Sequence, residues 1–295
     1  MTNDDEGREF VLDRRSVQRA FDRAACGYDR SAVLQTRVRN ELLDRLELVR
    51  LEPSIVIDLG AGTGHASATL AKRYRSSRVV AVDLAPDMLV QAGRQRSLLR
   101  RFARVCADAA RLPFRDASVD LVFSNLMLQW CNEPDHVFRE CRRVLRPGGL
   151  LTYTTFGPDT LYELRRAWSA ADGLTHVNRF IDMHDLGDAM VRSGLAEPVM
   201  DVDRCTLTYA DARDLMRDLK AIGAHNVNAG RAPGLTGKSR LARMIASYEE
   251  FRRDGRLPAT FEVIYGHAWA PQPGAAQRRH AADEVRVPVS RIGRR

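Results

Sequence analysis

The stretch SIVIDLGAGTGHASATL (54–70) decides the fold. An apolar, β-branched run ends in Asp58 and Leu59, Gly60, Gly62 and Gly64 follow within five positions, and a helix-forming run begins. Strand, glycine turn and helix form the unit with which an open parallel sheet presents a ligand crevice beyond the carboxyl ends of its strands. The charge around the turn decides what enters that crevice.

Short runs of the same character recur downstream at RVVAVD (78–83), FARVCA (102–107), VDLVFSN (119–125) and GLLTYTTF (149–156). Helical segments at 66–74, 86–96 and 134–145 separate most of them, the last two with proline in the first turn. Upstream, Leu34, Val38, Leu42, Leu46 and Val49 recur at helical spacing and predict a helix over 31–49. After Phe156 the alternation lapses: PDTLYELRRAWSAAD and DMHDLGDAMVRSGL read as two helices joined by GLTHVNRFI. A strand at 204–210, helices from 211 and from about 239 to 253, and a closing strand at 259–270 complete the chain.

Strands alternating with helices mean parallel pairing, so the expected architecture is a doubly wound, Rossmann-like α/β fold with a seven-stranded, mostly parallel sheet. Its expected divisions are N-terminal cap helices (1–49), an α/β core (50–156), a helical lid (157–203), completing strands and helices (204–271) and a basic tail (272–295).

With 295 residues, 44% of them apolar, the chain can bury a sizeable core. Lys and Arg number 46 against 38 Asp and Glu, a net charge of +8, and the tail beyond Pro271 supplies half the excess with six Arg and two acids. Such a surface suits nucleic acid, anionic lipid or an acidic protein, and charge does not choose among them. Five cysteines without a C-x-x-C pair argue against a disulfide framework or a structural metal, and a reducing cytoplasm is expected. The opening MTNDDEGREF is acidic, and no apolar run approaches the ~18 residues of a membrane span, so neither a signal peptide nor a span is expected.

Two cofactor classes use a glycine turn of this kind. A dinucleotide presents a pyrophosphate to G-x-G-x-x-G, but the third glycine position here holds His65, and Asp58 sets a carboxylate close to the anion. That weakens the dinucleotide reading. S-adenosylmethionine carries a sulfonium and an ammonium, which turn Asp58 from a cost into a contact. Asp83 ends the next strand and can accept from both ribose hydroxyls with either cofactor; Asp108 in ADAARLPF can accept from an adenine amine while the Ala109 N–H donates to the ring. Taken alone, Asp108 is an ordinary turn acid, but acids at three successive strand ends indicate one ligand.

VIDLGAGTGHAS, VVAVDLAPDML, CADAARLPF, VDLVFSNLMLQW and VLRPGGLL resemble, in order and spacing over about 50–156, the motifs of class I S-adenosylmethionine-dependent methyltransferases. FDRAACGYD, the Gln129–Trp130 pair, FGPDTLYELRRAW, HVNRF, MRDLKAIGAHNVNAGR and FEVIYGHAWAP are similar to the malonyl-acyl-carrier-protein O-methyltransferases of biotin synthesis, over about 17–271. This resemblance implies methylation of the free carboxylate of a malonyl thioester on acyl carrier protein, with S-adenosylhomocysteine as co-product, no metal, and an ester that enters pimeloyl synthesis. It implies that Leu84, Asn125 and Gln129 join the cofactor contacts. It also implies that Tyr28, on an N-terminal segment folded over the cofactor, and Arg179 meet the substrate, while Trp130 and Phe156 line its pocket. Read singly, Arg179 is a surface arginine, Tyr28 a half-buried tyrosine, and Trp130 and Phe156 core aromatics.

Methyl transfer is an in-line displacement with the nucleophile about 3 to 3.5 Å from the methyl carbon. The malonyl carboxylate, with a reference pKa of about 4, is already ionised and needs no general base. His65 is therefore given no proton-transfer role. Arg165, Arg166, Arg231 and Arg240 are the expected contacts for an acidic carrier. APGLTGKS (232–239) departs from a phosphate-binding loop at Ala232 and follows no strand, and the arginine-rich run at 94–104 lacks the interleaved aromatics of a nucleic-acid site. The strand-end acids show only that a ligand binds; a methyltransferase or hydroxylase acting on another substrate, or a cofactor-binding assembly factor without turnover, uses the same scaffold.

Overall fold

In a computed structural model, residues 11–95, 101–224 and 237–272 are described. Their strands are β1 (Ile55–Leu59), β2 (Arg78–Asp83), β3 (Ala103–Cys106), β4 (Val119–Asn125), β5 (Leu145–Phe156), β6 (Ala196–Tyr209) and β7 (Leu257–Trp269). They form one sheet in the order β3-β2-β1-β4-β5-β7-β6, with β1 to β5 parallel and β7 antiparallel to both neighbours. The expected seven-stranded, mostly parallel sheet is therefore present. Its order reverses between β1 and β4, which places the switch-point crevice beside the glycine turn.

The runs that read as continuously apolar are the central strands. Val56, Ile57, Leu121, Val122 and Phe123 are fully buried because helices cover both faces. Neighbouring residues fall into opposite layers: Val56 and Phe123 pack with Leu42 and Leu70 on one side, Ile57 and Val122 with Phe138 and Tyr153 on the other. That alternation is the two-residue period of a strand.

The helices, in chain order, are α1 (Arg14–Ala24), α2 (Tyr28–Ser31), α3 (Val33–Arg45), α4 (His65–Arg73), α5 (Pro86–Ala92), α6 (Pro134–Val144), α7 (Tyr162–Ala171), α8 (Met183–Arg192), α9 (Ala212–Ala221) and α10 (Lys238–Glu249). The helix expected over 31–49 is broken at Ala32, whose φ of −83° and ψ of 44° are not helical, and it closes in a 3₁₀ turn at Leu46–Leu48. The helix expected to reach 96 stops at Ala92 and passes into a 3₁₀ turn, Gly93–Gln95. β6 begins at Ala196, ahead of the 204 expected, and pairs with β7 nearly to its end. RPGG forms a bulge: Val119 pairs with Leu145 and Leu121 with Leu150, and Gly148 takes a φ of 77°. Most of APGLTGKS, Arg231 and the tail beyond Gln272 lie outside the described residues.

Candidate active site

The glycine turn is built by the strands on either side of it. Gly60 and Ala61 both donate their N–H to Val82 O at 2.8 and 3.0 Å, and Gly62 N–H donates to Asp83 Oδ2 at 2.8 Å. Gly60, Gly62 and Gly64 have φ of 75°, 51° and 82°, the left-handed region. They serve different ends. A Cβ on Gly60 would stand 2.3 Å from Met127, and one on Gly64 would stand 2.7 Å from Ala92, whereas nothing lies within 4 Å of one on Gly62. Gly60 and Gly62 line the crevice; Gly64 instead starts α4 and packs against α5, so its expected cofactor contact is replaced by a packing role.

Three neighbouring cavities share lining residues, and two of them are lined by the turn itself. The first, of about 260 Å³, is lined by Gly62, Asp83, Leu84, Asp108, Ala109 and Asn125, and is covered by Leu12, Arg14, Val17 and Phe21 from the N-terminal segment. Asp83 receives Gly62 and Ala85 N–H at 2.8 Å each, and burial pushes its carboxyl above the ordinary range against those bonds. Asp108, expected to receive an adenine amine, accepts Ala110 N–H on one oxygen and pairs with Arg14 at 2.6 Å on the other. Asn125 is anchored, donating to Gln35 O at 3.2 Å and accepting from Thr154 at 3.0 Å, while it lines the wall.

The second cavity is small, about 50 Å³, and holds the charges that suit the amino-acid end of a cofactor. Asp58 is buried with 1% exposure, accepts the Ser67 hydroxyl at 2.5 Å, and is pushed by burial up to about 7. Arg39 on α3 lines the same space, half-buried; burial lowers its pKa, and the fields of Asp29 and Asp58 oppose that shift. His65 is occupied at 3.1 Å with Asp29, which also accepts the Thr63 hydroxyl at 2.6 Å. Arg39 carries no motif signal, because it reaches the turn from a helix distant in sequence, and Asp29 closes FDRAACGYD, whose expected contact is Tyr28 alone.

The third cavity, of about 530 Å³, is mostly aromatic and aliphatic. Phe156 meets Phe180 and Phe261 with ring centroids 5.7 Å apart, and Trp130 meets Phe21 edge-on at 5.1 Å. Tyr28 lines all three spaces, and Trp130 and Leu126 line both larger ones, so the cavities adjoin there. Burial raises the Tyr28 phenol pKa, leaving a neutral donor. Gln129 lines this third cavity instead of the cofactor side: its amide is tied to Leu126 O at 2.7 Å and to Thr155 at 3.2 Å. Arg179 does not line it. Val177 and Phe180 turn inward and leave Arg179 exposed beside a separate cavity.

The arginines expected to face a carrier are differently employed. Arg165 donates to Pro158 O and Thr160 O at 3.0 and 2.9 Å, capping the turn before α7. Arg240 stands 3.5 Å from Asp172, and Arg166 lies over the Phe251 ring. Among the described residues no group of three or more His, Cys, Asp or Glu is placed to hold a metal ion, and no helix is long and apolar enough to cross a membrane.

A methyltransferase domain family matches residues 57–153. A malonyl-acyl-carrier-protein O-methyltransferase from Methylovorus sp. is 54% identical over 90% of this chain and 92% of its own. A solved methyltransferase from Bacillus halodurans superposes with a TM-score of 0.57 at 18% identity, covering 79% of this chain and 100% of its own. A Haemonchus contortus phosphoethanolamine N-methyltransferase, solved in complex with S-adenosyl-L-methionine, superposes at 0.51 and 19% identity, over 79% of this chain and 53% of its own.

Proposed function

Because the chain belongs to the malonyl-acyl-carrier-protein O-methyltransferases, we propose that it moves the methyl group of S-adenosylmethionine to the free carboxylate of a malonyl thioester on acyl carrier protein. The ester so formed enters pimeloyl synthesis for biotin, and S-adenosylhomocysteine leaves. The carrying observation is the junction of an acid-lined cavity with an apolar one at Tyr28, Leu126 and Trp130. A cationic donor belongs in the first and a thioester in the second.

In this reading Asp83 holds the ribose, the 108–109 segment faces the adenine, Asp58 faces the cofactor ammonium, and Arg39 holds its carboxylate. Arg14 gives up Asp108 when the adenine amine arrives. A cofactor held in this way would present its methyl group toward Tyr28 and Trp130, which line both cavities. The attacking oxygen is already an anion, so the chain supplies position and a dry enclosure: Tyr28 donates to a substrate oxygen, while Trp130, Phe156 and Phe180 exclude water from the reacting pair. Charge is neutralised as the methyl transfers, so low-dielectric walls do not oppose the transition state. The segment from 157 to the start of β6 closes the substrate side as a lid.

Incubating the protein with S-adenosylmethionine and malonyl carrier protein, then weighing the carrier intact, is the test. A mass gain of one CH₂, confined to the malonyl group, supports the reading. Bound cofactor with no mass gain would indicate a binding factor without turnover, and transfer to another acid but not to malonyl would move the substrate.

A further inference from the structure

Building on the proposed transfer to a carrier-bound malonyl group, we infer that the acidic carrier protein docks on the face formed by α2 and the start of α3, where Arg30 and Arg37 flank Val33. The substrate cavity opens where its lining meets solvent. Those positions are Arg30 and Val33 on one rim, Thr206 and Thr208 of β6 on another, and Asp218 of α9 on the third. A thioester on a flexible arm must reach Tyr28 and Trp130 through this opening, because the folded carrier is too large for a cavity of about 530 Å³.

Charge selects one rim. Val33 is an apolar side chain left 65% exposed at the opening, and Arg37 stands one helical turn further along the same face of α3, its side chain also 65% exposed. Arg37 is 3.9 Å from Asp203, a long and solvated pair that leaves its charge available, and Arg30 makes no ion pair among the described residues. Across the opening Asp218, hydrogen-bonded to Tyr209, repels an acidic partner and confines it to the arginine side. An apolar side chain between two cations matches a surface of carboxylates around an apolar residue. The arginines expected from the sequence on the lid and a late helix offer less: Arg165 is consumed by backbone carbonyls and Arg240 by Asp172.

The test compares two substrates, malonyl carrier protein and malonyl-pantetheine, which has the thioester and arm but neither protein nor phosphate. The measured quantity is the ratio of their kcat/KM values in wild type, in R30E/R37E and in R30K/R37K. Charge reversal is expected to lower the carrier-to-pantetheine ratio at least tenfold through KM, and the lysine pair to hold it within about twofold. Rising ionic strength should lower the wild-type ratio and leave that of R30E/R37E nearly level. A ratio unchanged by charge reversal, or equal losses on both substrates, overturns the docking face. If the wild-type enzyme methylates neither substrate, the proposed function fails instead, and the two failures are told apart.

Discussion

Asp58 sits buried at the carboxyl end of β1 with its pKa pushed up to about 7 by desolvation, against hydrogen bonds from the Ser67 hydroxyl and backbone. Its folded value lies above the unfolded one, so the ligand-free fold takes up a proton, and the stability this group contributes is lost as pH rises from about 4 to about 7. A cationic ligand reverses the preference by favouring the carboxylate. S-adenosylmethionine affinity is therefore expected to rise roughly tenfold from about pH 6 to about pH 8 and level off above, while D58N binds weakly and without that slope. Calorimetric titration across pH checks both. Arg39 gives a second prediction. If it holds the cofactor carboxylate, wild type will bind decarboxylated S-adenosylhomocysteine at least tenfold more weakly than the intact compound, and R39Q will bind the two within about threefold of each other. Equal discrimination in both proteins would remove Arg39 from the site. Asp58 and Asp83 are legible in the sequence because each ends a recognisable strand; Arg39 is not, because a helical arginine reads as a solvated face until tertiary packing turns it inward.

At the scale of elements, α1 covers the acid-lined cavity from outside the sheet. Asp13 caps it by accepting from Arg15 and Ser16 N–H, and Leu12 exchanges hydrogen bonds of 2.8 and 3.0 Å with the Asn132 side chain. Leu12, Val17 and Phe21 close the cofactor cavity from above. The Arg14–Asp108 pair is exposed at 61% on its arginine side and contributes at most about 1 kcal/mol, so apolar burial holds α1 down more than charge does. A cofactor beneath α1 adds contacts to that face. Amide hydrogen exchange across 14–24 is accordingly expected to slow at least threefold with saturating S-adenosylmethionine, while α10, remote from the cavity, stays unchanged. Exchange in α1 that ignores the cofactor would show that α1 does not cover it. Elements differ in how plainly the sequence announces them. β1, β2 and β4 declare themselves because both faces are buried and their central residues are apolar. The first half of β6, AEPVMDVD, is edge strand with Pro and three acids, and only its pairing with β7 identifies it. The break at Ala32 lacks glycine or proline and follows from seating Tyr28 over the turn while α3 packs on the sheet.

At the scale of the whole molecule, the proposed reading gives the two ligands different doors. Exposed lining of the acid-lined cavity lies at Arg14, Ala110, Asn132, Glu133 and His136, whereas the apolar cavity opens at Arg30, Val33, Thr206, Thr208 and Asp218, with no residue in common. This arrangement is assembled from segments far apart in the chain, so motif spacing groups the strand-end acids but says less about the apolar cavity, which Tyr28, Trp130 and Phe156 line. Gln129 was expected at the cofactor and faces the substrate side; Arg179 was expected at the substrate and lies outside that cavity. Separate doors have a kinetic consequence. A carrier seated at α2 and α3 leaves the cofactor's exit open, so cofactor exchange should not wait for the carrier to depart. With a carrier bearing an unreactive amide analogue of the malonyl group, labelled S-adenosylmethionine chased by unlabelled cofactor is expected to leave the ternary complex within about twofold of its rate from the binary complex. Tyr28 and Trp130 stand at the junction and permit small differences through contact with both ligands. Retention of the label tenfold longer in the ternary complex would mean that the carrier or the lid seals α1 over the cofactor, and that the two cavities share one exit in the working enzyme.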